Sequence, residues 1–209
     1  MTFKIDLHVH SRFSGDSSAE PEHTVLMAIE KGLNGIAFTE HYSYGASEFA
    51  ERLKEKYSNE ITIFRGVEFS AFEGHCLIFG VDTDGLLTKH ALMEEVISVV
   101  KEKGGIVIPS HPYRGANSVG ERIWSINGIA AVEGYNGYNM HSFNMMAVEA
   151  ADILGIPYTG GSDAHSPEDV GACYTEFFER VTGYNVIDLL KQGGYRGVDM
   201  RKISKMGWF

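Results

Sequence analysis

Short β-branched or aromatic runs alternate with longer stretches of helical spacing along the 209-residue chain, and this alternation limits the fold more than any other feature. Candidate strands lie at 3–9 (FKIDLHV), 35–39 (GIAFT), 61–69 (ITIFRGVEF), 76–81, 105–110, 128–135 and 156–162, with one more at 173–178 (CYTEFF). Helical spacing fits 21–31, 46–57, 88–103, 139–154 and 184–192. Repeated strand–helix units of these lengths predict an α/β barrel or an open parallel sheet. No repeat, linker or low-complexity stretch interrupts them, so residues 1–209 are expected to form a single domain.

Composition narrows the function by exclusion. Eighteen basic residues against 28 acidic ones leave a net charge of −10, which argues against a dedicated nucleic-acid binder. The two cysteines, Cys76 and Cys173, each lie in an apolar stretch and read as buried free thiols in a reducing compartment. Lys4 and Asp6 interrupt the N-terminus before a signal-type apolar run can form, and no run approaches the roughly 20 residues that span a bilayer. The expected location is the cytoplasm, without membrane association.

The polar residues carry the functional signal. Loops after the carboxyl ends of parallel strands collect functional groups. Here those positions hold His8 and His10, Glu40 and His41, Glu68, His111, Glu133, and Asp163 with His165; His75 stands instead at the start of its strand. Six of the nine histidines fall in these junctions, whereas His23, His90 and His141 sit near helix starts and read as solvated side chains. Strand side chains alternate, so Asp6, His8 and His10 are expected on one face, with both imidazoles able to grip one cation. Asp6, one pair deeper, is placed to accept the other ring N–H of a ligating histidine. Gly15 permits a turn that brings Asp16 back to the same mouth, although Asp16 equally suits a turn or helix cap. The YNGYN segment at 135–139 reads as loop and rim, with Glu133 able to face the site.

The motifs DLHVHS, FSGDS, GLNGIAFTEH, GVEFS, GHCLIFG, SHPYR and GGSDAH, in this order, resemble the PHP (polymerase and histidinol phosphatase) superfamily over nearly the whole chain. The resemblance implies a distorted seven-stranded (β/α)7 barrel holding up to three divalent ions at the carboxyl ends of its strands. It implies one ion on His8, His10, Glu68 and Asp163, a second on Glu68, His75 and His111, and a third on Asp16, His41 and His165. Imidazole and carboxylate donors suit zinc, manganese or iron, and the absence of cysteine ligands disfavours a purely structural zinc.

Closely spaced cations can activate water near neutral pH and clamp a phosphoryl group, which is the chemistry of phosphoester hydrolysis. Glu68, Asp163 and His165 are the expected catalytic residues. Arg114, three positions after His111, and Arg12, two after His10, are candidate phosphate-binding guanidiniums. The leading expectation is a phosphatase acting on a small phosphomonoester, of the histidinol phosphate or nucleotide kind. A nuclease or phosphodiesterase acting on an oligonucleotide end is the alternative. Relatives of that kind carry an added domain between the segments of His75 and His111, where this chain has room for one helix and one strand. A non-catalytic, metal-stabilised accessory module is the alternative of another class, and barrel metal sites also support C–N bond hydrolysis.

Overall fold

Four residues, 71–74, separate β3 (Thr62–Ser70) from β4 (His75–Phe79) in the computed structural model, which describes residues 2–201. A parallel crossover needs a dozen residues or more. β4 therefore turns back and pairs antiparallel with β3, Ser70 facing His75. β5 (Ile106–Pro109) is antiparallel to β4 in turn and so regains the direction of β3. Uniform strand–helix repetition fails here, and the failure explains His75. The start of a reversed strand lies at the same end of the sheet as the carboxyl ends of its neighbours.

β1 (Phe3–Val9), β2 (Gly35–Phe38) and β3 run parallel, connected by α1 (Pro21–Glu30) and α2 (Ala50–Lys56). On the other side of β1, β8 (Cys173–Phe177) and β9 (Tyr195–Asp199) add antiparallel strands. The order β5-β4-β3-β2-β1-β8-β9 forms a curled half-barrel. β6 (Val132–Asn136) and β7 (Tyr158–Gly161), linked by α4 (His141–Leu154), form a separate parallel pair. That pair is tied to β1 where Asp163 N donates to His8 O (2.7 Å) and His10 N donates to Ala164 O (2.9 Å). The result is the expected distorted (β/α)7 barrel.

The helices follow local chemistry. Pro21 occupies the first turn of α1, where a missing N–H costs nothing. α4 stops at Gly155, whose left-handed φ of 65° closes the helix. α3 (Met93–Glu102) begins five residues later than its spacing predicts, and the 46–57 stretch divides into a 3-10 turn at Tyr44–Ser47 followed by α2. α5 (Val186–Gln192) links β8 to β9, a strand absent from the sequence reading.

Buried apolar residues form three clusters. One joins Ile5, Leu7, Phe64, Leu77, Ile108 and α5. A second lies under α1 and α2 around Val9, Ile36 and Phe38, and a third under α3 and α4 around Val67, Ile78 and Val132. Ile5 and Leu7 thus pack in a different cluster from Val9, and the register of β1 against β2 shifts between Asp6 and Val9. That irregularity re-aims the end of β1. Among the described residues no helix is long and apolar enough to cross a membrane. The KMGWF tail at 205–209 lies outside the described residues.

Candidate metal centre

Four of the six histidines of the centre are oriented by a hydrogen bond on the far side of the ring. His8 Nδ1–H donates to Glu133 Oε1 (2.8 Å), and His165 Nδ1–H donates to the Asp163 carbonyl (2.8 Å). His10 Nδ1–H donates to Ser14 Oγ (2.9 Å), whose own hydroxyl donates to Glu40. His111 Nδ1–H reaches Ser118 Oγ (3.3 Å), whose hydroxyl donates to the His111 carbonyl. These partners fix one tautomer in all four rings, with each Nε2 turned inward.

The inward atoms converge. His8 Nε2 and His10 Nε2 are 3.0 Å apart, and His8 Nε2 lies 3.5 Å from Glu68 Oε2 and 3.4 Å from Asp163 Oδ1. His10 Nε2 is 3.3 Å from each of the same two oxygens. Bonds of about 2.0–2.1 Å to a tetrahedral ion hold ligand atoms about 3.3–3.4 Å apart, so these four atoms have the spacing of one coordination shell. The other oxygen of Glu68 faces His111 Nε2 (2.9 Å) and His75 Nδ1 (3.2 Å). Asp16 Oδ2 lies 3.0 Å from His41 Nε2 and 3.4 Å from His165 Nε2. All nine residues singled out as metal ligands meet in one region.

His41 departs from the simple allocation to one ion: its Nδ1 also lies 3.2 Å from Glu68 Oε2. The Nδ1 atoms of His41 and His75 are buried without a hydrogen-bond partner, an arrangement that favours a ligand there. Donor types, spacing and orphaned nitrogens all fit divalent ions.

The electrostatics of the bare cluster point the same way. Burial alone would raise the carboxyls of Glu68 and Asp163, yet the neighbouring His8 and His10 hold both well below the usual range. Burial disfavours a charged His10, but the hydrogen bonds that its protonated ring donates to Asp163 and Glu68 push it up to about 9, and His8 is also raised. His41 goes the other way, to about 4, through burial and the His10 charge. Protons thus stand where cations would be bound.

Two expectations change. Asp6 does not touch a histidine ring: its two oxygens are taken by backbone N–H groups of Ser162 and Gly171, both at 2.8 Å, in the segment after β7. Glu133 performs that task instead. Arg12 is exposed, paired with Glu20 (3.0 Å) and stacked over Phe13, and none of its described contacts reaches the cluster. Arg114 does reach it, pairing with Asp163 Oδ2 at 2.5 Å.

Glu40, a strand-end acid given no role by the sequence, is fully buried and accepts from Ser11 N, Ser11 Oγ and Ser14 Oγ. It holds the loop after β1 and, through Ser14, the His10 ring. Its position beside His41 is the only sequence signal for this. The rim carries Tyr42 beside His41 and Tyr138 beside His165, each with ring centroids 5.4 Å apart. Positive φ values at His111 (32°) and Asp163 (54°) place backbone strain at the centre itself.

A distorted barrel with imidazoles and carboxylates gathered at one end has the donor set of a divalent-cation site. Residues 6–113 match the family model of the PHP domain, and residues 141–193 match that described as PHP-associated. The chain belongs to the PHP domain family. It is 31% identical over 147 residues to an uncharacterised protein of Methanocaldococcus jannaschii, covering 65% of this chain and 83% of the relative. Over 77 residues it is 36% identical to a histidinol-phosphatase of Lactococcus lactis, covering 31% of this chain and 29% of that enzyme. In fold it matches a candidate metal-dependent phosphoesterase from Bifidobacterium adolescentis, with a TM-score of 0.68 and 18% identity over 94% of this chain and 97% of the other.

Proposed function

We propose that this protein hydrolyses small phosphomonoesters with up to three divalent ions, zinc, manganese or iron, held by His8, His10, Asp16, His41, Glu68, His75, His111, Asp163 and His165. The observation that carries the reading is the four-atom shell of His8, His10, Glu68 and Asp163, at mutual spacings of 3.0–3.5 Å where measured, backed by ring tautomers fixed from outside. Bound ions would neutralise phosphoryl charge and make water nucleophilic near neutral pH.

The protein supplies position and charge. Glu68 turns one oxygen toward His8 and His10 and the other toward His75 and His111, so one carboxylate spans two binding positions. Arg114, about one-third exposed beside Asp163, offers a guanidinium fork to the non-bridging oxygens. His165 Nδ1–H donates to the Asp163 carbonyl, so one backbone turn would carry both side chains to the bound phosphoryl group. The partial likeness to a histidinol-phosphatase favours a monoester over a diester substrate.

The test is release of inorganic phosphate from phenyl phosphate by the metal-loaded protein, with bis-p-nitrophenyl phosphate as the diester comparison. Turnover of the monoester should vanish on chelation and in His8→Ala and Asp163→Ala. Undiminished turnover in those variants would remove the catalytic assignment.

A further inference from the structure

We infer that the cleft beside His75 recognises a second anionic group on the substrate, with Lys89 and Arg122 as its cationic grip. This rests on the phosphomonoesterase reading and adds the class of alcohol that leaves. The cleft has a volume of about 570 Å³, and its lining includes Tyr42, Phe72, His75, Lys89, Asn117 and Arg122. His75 is the shared wall: its Nδ1 faces Glu68 in the metal centre. A phosphoester held at the centre can therefore extend its alcohol portion directly into this space.

The charge of the cleft is opposite to that of the molecule. The whole chain carries −10, yet Glu73 is the one carboxylate among the residues lining the cleft, and its Oε2 accepts from Met93 N at 2.7 Å. Lys89 and Arg122 are exposed, line the cleft together and, like Lys4, Arg52, Lys101 and Arg180, have no ion-pair partner among the described residues. Two cations without partners beside a phosphoryl site attract an anion, and phosphate or carboxylate both fit that chemistry.

Shape supports the same assignment. Tyr42 and Phe72 are each 66% exposed and present flat apolar faces to the cleft, suited to a planar or apolar carbon skeleton between the two anionic ends. Among the described non-glycine residues with positive φ, Tyr42 (68°), His90 (58°) and Asn117 (60°) line the cleft, while His111 and Asp163 belong to the metal centre. Strain of this kind persists where the surrounding structure enforces it, and such places cluster at ligand-binding sites.

The experiment compares binding of phenylphosphonate, its 3- and 4-carboxy derivatives and 1,3-phenylenebisphosphonate to the metal-loaded full chain by titration calorimetry. At least one derivative with a second anion should bind tenfold tighter or more than phenylphosphonate, and whether carboxylate or phosphonate gives the larger gain identifies the natural group. In the double variant Lys89→Ala/Arg122→Ala the ratio should fall below about twofold, and Lys89→Glu should lower it as well. Both side chains are exposed, so an unchanged melting temperature verifies folding.

A ratio near one in the wild type, or a tenfold ratio that survives the double substitution, overturns the inference. Phenyl phosphate turnover separates the two readings. Its absence counts against the phosphatase assignment whatever the binding ratio, while turnover with a ratio of one removes only the role of the cleft.

Discussion

Glu133 Oε1 lies 2.8 Å from Nδ1 of His8, a contact across 125 positions of sequence. The same carboxylate accepts His111 N through Oε2 (2.8 Å) and Asn136 Nδ2 (2.9 Å). Three donors converge on it, so a carboxylate fits where an amide cannot. In Glu133→Gln, either orientation of the amide sets its own N–H groups against a donor. The His8 ring loses its fixed tautomer or the His111 backbone loses its acceptor. Metal affinity should fall about 10- to 100-fold, as it does when such outer partners of a ligating histidine are removed. A metal titration against a competing chelator measures it, and unchanged affinity would refute the role assigned to Glu133.

Metal binding should release protons. In the metal-free cluster His10 holds its proton up to about 9, above its ordinary 6.5. Because the folded value is raised, that proton stabilises the metal-free fold fully below pH 6.5, and the contribution is lost as pH rises through 9. An ion must displace the proton, so affinity rises over the same interval and levels off above it. His41, lowered to about 4, is already neutral and contributes no release near pH 7. Calorimetry in two buffers of different ionisation enthalpy reads the release directly. Denaturation in the presence of chelator should show lower stability at pH 9 than at 6.5. Equal apparent heats in the two buffers would contradict this account.

Arg114 should act on substrate more than on metal. Its guanidinium pairs with Asp163 Oδ2, while Asp163 Oδ1 turns toward His8 and His10. Arg114→Ala therefore leaves the shell of inward-facing atoms in place but removes the only arginine whose described contacts reach it. KM for a monoester should rise about tenfold or more with metal content unchanged. Arg114→Lys should recover part of the loss, since a point charge replaces a planar fork. Steady-state kinetics together with metal analysis separate these effects, and an unaltered KM would count against phosphate binding.

The sequence exposed the ligands better than their supports, for a physical reason. Side chains that share a site must end at one mouth, so strand ends pick out His8, His10, His41, Glu68, His111, Asp163 and His165 together with Glu40 and Glu133, and the family resemblance separates candidate ligands from supports. His75 looked misplaced until the four-residue link after β3 is read as a reversal. Supports obey no such periodicity. Asp6 appeared to sit beneath His8, but backbone N–H groups of Ser162 and Gly171, more than 150 positions away in sequence, take its oxygens. Glu40 acts through Ser14, a contact across 26 positions that no local pattern records. β9 pairs only with a strand some 20 residues earlier, and its sequence YRGVD has a glycine at its centre and no apolar run like GIAF or IVIP.

Gly161 provides a test that replaces no ligand. At the end of β7 its backbone passes so close to β1 that a Cβ there would overlap His8 Cβ and lie 2.9 Å from Glu133 Oε1. His8 and Glu133 are buried, and the backbone of this region is tied by Asp163 N to His8 O, so neither strand can retreat without breaking a ladder bond. Gly161→Ala must then separate His8 from Glu133 or push β7 away from β1, carrying Asp163 with it. Both routes open the four-atom shell. Stability should drop by about 1–3 kcal/mol, the usual cost of overpacking a dense core, and metal affinity should fall more than in Glu133→Gln. Gly155→Ala, at a helix end with open space around it, is the control: strain at φ 65° lowers stability without changing metal binding. Equal metal affinity in Gly161→Ala and Gly155→Ala would show that close approach of the two strands is not what holds the centre together.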